Sequence, residues 1–192
     1  MTARRRVALL LVDFINDLRF DGGEALLPAA LDAARRTAAL KIKAKRAGVS
    51  VIYANDNYGD WRSDQRRVYA RCTRRGVRGA PVARLLKPGR DDYFIFKPRH
   101  SAFYCTPLTP LLGSLDVETL ILTGLAADIC VLFTANDAHV RDLRLFVPRD
   151  CVAAIDEDRY RAALGYFETV LAADTRPSTS LRLAAGTVRT GR

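Results

Sequence analysis

The chain has 192 residues, of which 49% are hydrophobic and 27% charged, with a formal net charge of +10. That length and balance describe one globular domain with a sizeable core and exclude a disordered or fibrous chain. No apolar run approaches a membrane span, and the four cysteines show no CxxC spacing, which in a reducing compartment argues against a disulfide framework and a structural zinc site.

The basic start, Met-Thr-Ala-Arg-Arg-Arg, leads into a short apolar run, Val7 to Val12. It reads as the entry to a strand buried on both faces, not as a signal peptide, so a cytoplasmic location is expected. The run ends at Asp13, a carboxylate that is either a turn cap or a site residue. Gly22 and Gly23 make a loop. Pro28 fits a first helical position, and Leu27, Leu31, Ala34, Ala38 and Ile42 recur at helical spacing. Gly48 stops that helix. Val49 to Ala54 is a second strand, emptying into the polar loop Asn55 to Trp61. Ser63 or Asp64 can cap the basic helix that follows.

Residues 62 to 78 carry Arg62, Arg66, Arg67, Arg71, Arg74, Arg75 and Arg78. This is either a face for nucleic acid or another anion, or a solvated helix face. No recognised nucleic-acid module accompanies it. Gly76 to Gly89 is expected to be irregular. Tyr93 to Phe96 is a third strand that delivers Lys97. Pro107 to Leu112 is a short helix, and Val117 to Leu122 a fourth strand. Thr123 to Val131 then forms a tight turn, with Cys130 in the first turn of a helix running to about Leu143. Leu143 to Val147 is a fifth strand. Asp156 caps a helix lined by Tyr160, Ala163, Leu164, Phe167 and Leu171. A last strand is weakly indicated at Ala173 to Thr175. The tail after Ser178 has little pattern, and Thr190-Gly191-Arg192 is expected to fray.

Strands and helices alternate without a linker or repeat, which predicts one α/β domain with a mainly parallel sheet over residues 1–192. All strand C-termini then share one edge, so Asp13, Lys97 and Cys130 can converge there. Cys130 is either a buried small hydrophobe or a nucleophile, with the helix start drawing its thiol toward thiolate. A thiol, a carboxylate and an ammonium suit attack on a carbonyl or nitrile carbon. Asp13 would take and return a proton, Lys97 would stabilise negative charge, and N–H groups of the cysteine turn would form an oxyanion hole. His139 lies too far along its helix for a Cys-His dyad. His100 and Cys105 read as positioning or structural residues.

Three motifs in order carry a family resemblance over nearly the whole chain. They are Leu11-Val12-Asp13-Phe14-Ile15-Asn16-Asp17, Phe96-Lys97 with Ser101-Ala102-Phe103, and Gly124-Leu125-Ala126-Ala127-Asp128-Ile129-Cys130-Val131. With them the chain resembles the isochorismatase-like cysteine hydrolases, which include nicotinamidases and N-carbamoyl amide hydrolases. The resemblance implies a three-layer α/β/α sandwich, a Rossmann-like fold with a six-stranded, mainly parallel sheet. It also implies an Asp13-Lys97-Cys130 triad, a cis peptide at Leu125–Ala126, an oxyanion hole from the Ala126 and Cys130 N–H groups, and a homo-oligomer, dimer or tetramer.

The chain departs from the family pattern at Ala127, where Thr is usual. It departs again in the 55–61 loop, which lacks the histidines that hold a metal in nicotinamidases, so neither a metal nor another cofactor is expected. Asn57, Tyr58, Trp61 and Arg62 either line a substrate pocket or order their loop, and Phe14 and Phe103 are further pocket candidates. The expected activity is metal-independent cleavage of a C–N bond in a small amide or ureido substrate through a thioester. Vinyl-ether hydrolysis, as in true isochorismatases, needs an acid, not a thiol. The alternative is a catalytically idle binding or scaffold protein whose basic face contacts nucleic acid or another anion.

Overall fold

A computed structural model describes residues 6–190. Six strands, β1 (Arg6–Val12), β2 (Ser50–Asp56), β3 (Tyr93–Lys97), β4 (Val117–Leu125), β5 (Arg144–Phe146) and β6 (Val152–Ala153), form one parallel sheet. Their order is β3-β2-β1-β4-β5, with β6 pairing the end of β4. Side chains alternate across β1. Val7, Leu9 and Leu11 enter one core cluster, while Ala8, Leu10 and Val12 enter the other. This two-sided burial is why the strand reads as an unbroken apolar run. Each fully buried leucine contributes about 2 kcal/mol.

The first cluster is closed by α1 (Gly23–Arg46), α2 (Gln65–Thr73) and α3 (Ala80–Leu85). The second is closed by α4 (Leu108–Ser114), α5 (Leu132–His139) and α6 (Glu157–Thr169). The result is a three-layer α/β/α sandwich. No helix among the described residues is long and apolar enough to cross a membrane.

Several boundaries differ from the sequence reading. Helix α1 begins at Gly23, so Pro28 sits inside it, and its buried face is Leu26, Ala30, Ala33, Ala34, Thr37, Leu40 and Ala44. Ile42 is exposed and Leu27, Leu31 and Ala38 are only partly buried. Small residues win the inner face because they let the helix lie close on the sheet. At the other end Gly48 adopts φ 69°, and the N–H groups of Gly48 and Val49 bond to Lys45 and Ala44 carbonyls. That left-handed turn caps the last carbonyls and feeds β2 directly. The expected irregular stretch after Gly76 contains α3, with Pro81 in its first turn. Residues 173–175 contribute only an isolated bridge, Phe146 to Asp174, and the sixth strand is β6.

The tail is a further correction. β7 (Leu181–Ala184) and β8 (Thr187–Thr190) form an antiparallel hairpin. Gly186 at its tip accepts from the Val7 N–H at 3.0 Å and donates to the Ala47 carbonyl at 2.7 Å. A two-residue turn over short strands gives little hydrophobic pattern, so the signal is in the pairing. Gly191 and Arg192 lie outside the described residues.

Two features aim the strand ends. Ahead of β3, the buried Asp92 carboxylate takes Lys41 at 2.6 Å, Lys45 at 2.7 Å and the Gly89 N–H at 2.6 Å. This clasp ties the approach to β3 onto α1. At the end of β4, Gly124 pairs with Val12 at φ 144°, and a β-carbon there would stand 2.3 Å from the Val12 carbonyl oxygen. Only glycine permits that approach. Gly124→Ala should therefore push β4 off β1, costing about 3 kcal/mol. Thermal unfolding should show a midpoint lower by about 6–12 °C; an unchanged midpoint would contradict this packing.

Candidate active site

The strand order reverses between β1 and β4, and open α/β sheets form their ligand crevice there, at the carboxyl ends of the strands. Asp13 leaves β1 with φ 52°. Its backbone N–H bonds to the Ala54 carbonyl, and its side-chain Oδ1 accepts the Asp56 N–H at 2.8 Å. The carboxylate thus lies across the end of β2 and meets Lys97 from β3, with Oδ2 at 2.7 Å from Nζ. The Lys97 Nζ also donates to the Arg99 carbonyl at 3.1 Å and reaches Cys130 Sγ at 3.5 Å. Three residues far apart in the sequence are therefore joined through one ammonium group.

Cys130 sits in a π-helical turn, Ala127–Val131, ahead of α5. The N–H groups of Ile129 and Val131 both bond back to the Ala126 carbonyl at 3.1 Å. The Leu125–Ala126 peptide is cis. The turn is wider than the ordinary first helical turn expected from the sequence, and the Thr134 hydroxyl braces it by donating to the Cys130 carbonyl at 2.6 Å. Ala127, where a family hydroxyl is usual, is fully buried in the second core cluster.

Asp13 is 4% exposed and Lys97 1% exposed. Burial raises the Asp13 carboxyl above its ordinary value, with Lys97 opposing. Burial works against the Lys97 charge, but Asp13 and the Cys130 sulfur outweigh it and hold the ammonium above its ordinary value. Burial, then the Asp13 charge, pushes the Cys130 thiol up, and Lys97 only partly compensates. This runs against the sequence reading that the helix start draws the thiol toward thiolate. In this setting desolvation outweighs the helix start and favours the protonated thiol.

Asp13 and Cys130 line a cavity of about 570 Å³, while Lys97 is not part of its wall. Its walls include Tyr58, Arg71, His100, Ile129, Ile155 and Arg159. His100 Nδ1 is 3.9 Å from Cys130 Sγ, and its ring packs on Phe133. Arg159 in the first turn of α6 is 3.5 Å from Asp128. Ile155 and Arg159 escaped sequence reading because they come from a loop and helix that look like surface. His100 was visible as a residue beside the Lys97 motif.

The other pocket candidates divide. Tyr58 both lines the cavity and orders a loop, its hydroxyl donating to the Ile15 carbonyl at 3.2 Å. Asn57 holds its own turn by accepting the Gly59 N–H at 2.9 Å. Trp61 is 77% exposed, and neither it nor Arg62 lines the cavity. Phe14 is fully buried in the first core cluster. Phe103 is buried in the second, with Arg141 stacked on its ring. The Ser101-Ala102-Phe103 motif acts as a fastener. Ser101 donates to Asp137 at 2.5 Å, and the Ala102 N–H bonds to Thr134 at 3.0 Å. Cys105 is exposed and away from the cavity wall. Among the described residues, no group of three or more His, Cys, Asp or Glu is placed to hold a metal ion.

A buried ion pair is costly to break from one side. Lys97→Met alone should destabilise the protein by about 3–5 kcal/mol, whereas adding Asp13→Asn should recover part of that loss. Denaturant unfolding of the two single variants and the double variant measures the coupling. Strict additivity would mean that the pair does not interact.

Residues 7–176 match the Isochorismatase domain family. The uncharacterized isochorismatase family protein YaaI of Bacillus subtilis (strain 168) is 41% identical over 167 residues, 87% of this chain and 91% of the relative. Maleamate amidohydrolase of Pseudomonas putida is 29% identical over 166 residues, 83% of this chain and 78% of the relative. Among solved structures, N-carbamoylsarcosine amidase from Thermoplasma acidophilum superposes with a TM-score of 0.69 at 30% identity, covering 90% of this chain and 96% of that one.

Proposed function

Because the chain belongs to the isochorismatase family, we propose that it is a hydrolase that cleaves the C–N bond of a small amide or ureido compound, with Cys130 as the nucleophile. The observation that carries this reading is the Lys97 ammonium lying 2.7 Å from Asp13 and 3.5 Å from Cys130, the two residues of the three that line the cavity. Support for the substrate class comes from relatives named for hydrolysing maleamate and N-carbamoylsarcosine.

In the proposed route, Asp13 takes the thiol proton as Sγ attacks the carbonyl carbon. The raised carboxyl is suited to holding that proton. Lys97 keeps its charge throughout and offsets the negative charge that moves between sulfur and carboxylate. The Ala126 and Cys130 N–H groups receive the carbonyl oxygen as it becomes an oxyanion, each donor contributing about 3 kcal/mol. Asp13 then protonates the leaving amine, the C–N bond breaks, and a thioester to Cys130 remains. Water attacks the thioester with Asp13 as base, which releases the acid and restores the thiol. The 55–61 loop has no histidine, so the proposed route uses no metal.

Cys130→Ala should reduce amide turnover by at least about 1,000-fold. Intact-protein mass spectrometry of the parent under turnover should show an acyl adduct on Cys130. Wild-type turnover by the Ala variant would refute the scheme. The rate should also fall in acid as Asp13 is protonated, and because its folded value is raised, that limb lies above 3.8. The alkaline loss tied to Lys97 lies above 10.5, since its value is raised too. A kcat/KM profile over pH checks both limbs.

A further inference from the structure

A second cavity, about 540 Å³, lies beside the first. Asp17, Arg19, Tyr58 and Arg71 line both, so these side chains form the partition. The partition is built. Arg71 stacks on the Tyr58 ring at 4.2 Å and donates to Asp17 Oδ2 through Nε at 3.3 Å and Nη2 at 3.1 Å. Arg67 and Arg74 add two more guanidinium groups on the far side.

The charges of this cavity do not balance. Of the carboxylates lining it, Asp17 is engaged by Arg71, and Asp60 accepts the Arg62 backbone N–H at 3.0 Å. Arg67 is 3.8 Å from Asp64, outside the cavity lining. Among the described residues, Arg19 and Arg74 have no carboxylate at ion-pairing distance. With Arg71 held by Asp17 and Arg67 beside Asp64, the excess positive charge of the concavity rests on Arg19 and Arg74, and an oxygen-rich anion offsets it through forked N–H donors. Ser63 in the same wall supplies a hydroxyl. The arginine run of residues 62–78 therefore has a concave part, which a solvated helix face does not need.

We propose that this cavity is an oxyanion-binding subsite, taking a carboxylate or phosphate group next to the catalytic cavity. Two sources share that chemistry: the distal end of an extended amide substrate, or a free anion. The substrate source rests on the amide-hydrolase reading, while anion binding itself does not.

The test has a binding arm and a kinetic arm. Inorganic phosphate titrated calorimetrically into the parent protein, at low and at physiological ionic strength, should bind saturably and more weakly as salt rises. Arg74→Gln and Arg67→Gln should each weaken binding roughly ten-fold, the change that about 1.4 kcal/mol of lost charge-assisted bonding produces. The kinetic arm compares the monoamides of glutaric and adipic acid with pentanamide and hexanamide. If the substrate is the source, the parent prefers the anionic amides, phosphate competes with them, and Arg74→Gln erases most of the preference while leaving hexanamide turnover unchanged. Phosphate that binds without competing assigns a free anion. Phosphate binding with none of these amides turned over retains the subsite and overturns its assignment to the distal end of such an amide. The subsite is overturned by no saturable phosphate binding in the parent, or by binding that both variants leave intact.

Discussion

The contact on which the rest depends is the buried pair of Asp13 and Lys97, 2.7 Å apart. Adjacent strands lie about 4.8 Å apart, and these residues leave β1 and β3 with β2 between them. A short carboxylate and a long ammonium stem span that gap only if all three strands end at the same level. The register provides this, since Val12 pairs with Ala54 and Asp56 pairs with Lys97. Desolvating two charges costs several kcal/mol per ion. The Asp56 N–H and the Arg99 carbonyl offset part of that cost by occupying the remaining bonding positions. The sheet edge is thus constrained to one geometry by electrostatics as well as by hydrophobic packing.

Burial gives the site its chemical character. An exposed cysteine at a helix start would be drawn toward thiolate, but here the thiol is pushed up. A thiol, carboxylate and ammonium together carry no net charge, and moving the proton from sulfur to Asp13 preserves that balance. A buried group tolerates such a transfer better than the creation of a new isolated charge. The ammonium stands beside both positions the negative charge can occupy.

Much of the fold was legible because the strands carry two-sided apolar runs and the breakers are Gly48 and Pro107, whereas Gly124, read as the start of a turn, lies inside β4. The convergence of Asp13, Lys97 and Cys130 was legible for a related reason, since polar residues at the end of a buried strand, as Asp13 and Lys97 are, or in the turn after one, as Cys130 is, stand out. The losses have equally specific causes. Ile42 and Leu27 sit on a helix whose inner face is set by alanine, so residue size misled the periodicity. Phe14 and Phe103 belong to conspicuous motifs whose purpose at those positions is packing. β6 has only two residues, too few for any pattern. Arg159 and Ile155 enter the cavity through tertiary placement alone, and nothing local marks them.

The central pairing of the sheet also governs when the chain can assemble. β1 ends at residue 12 and its partner β4 reaches the matching position at residue 124. During synthesis β1 and β2 can pair early, yet one edge of β1 stays open, lined by leucines, until β4 emerges. Long-range parallel pairing of this kind is slow and leaves intermediates exposed to aggregation. The hairpin that bonds Val7 to Gly186 arrives later still. The crevice holding Cys130 is consequently among the last parts of the molecule to exist, and a chain halted before β4 presents a sticky strand edge and no site.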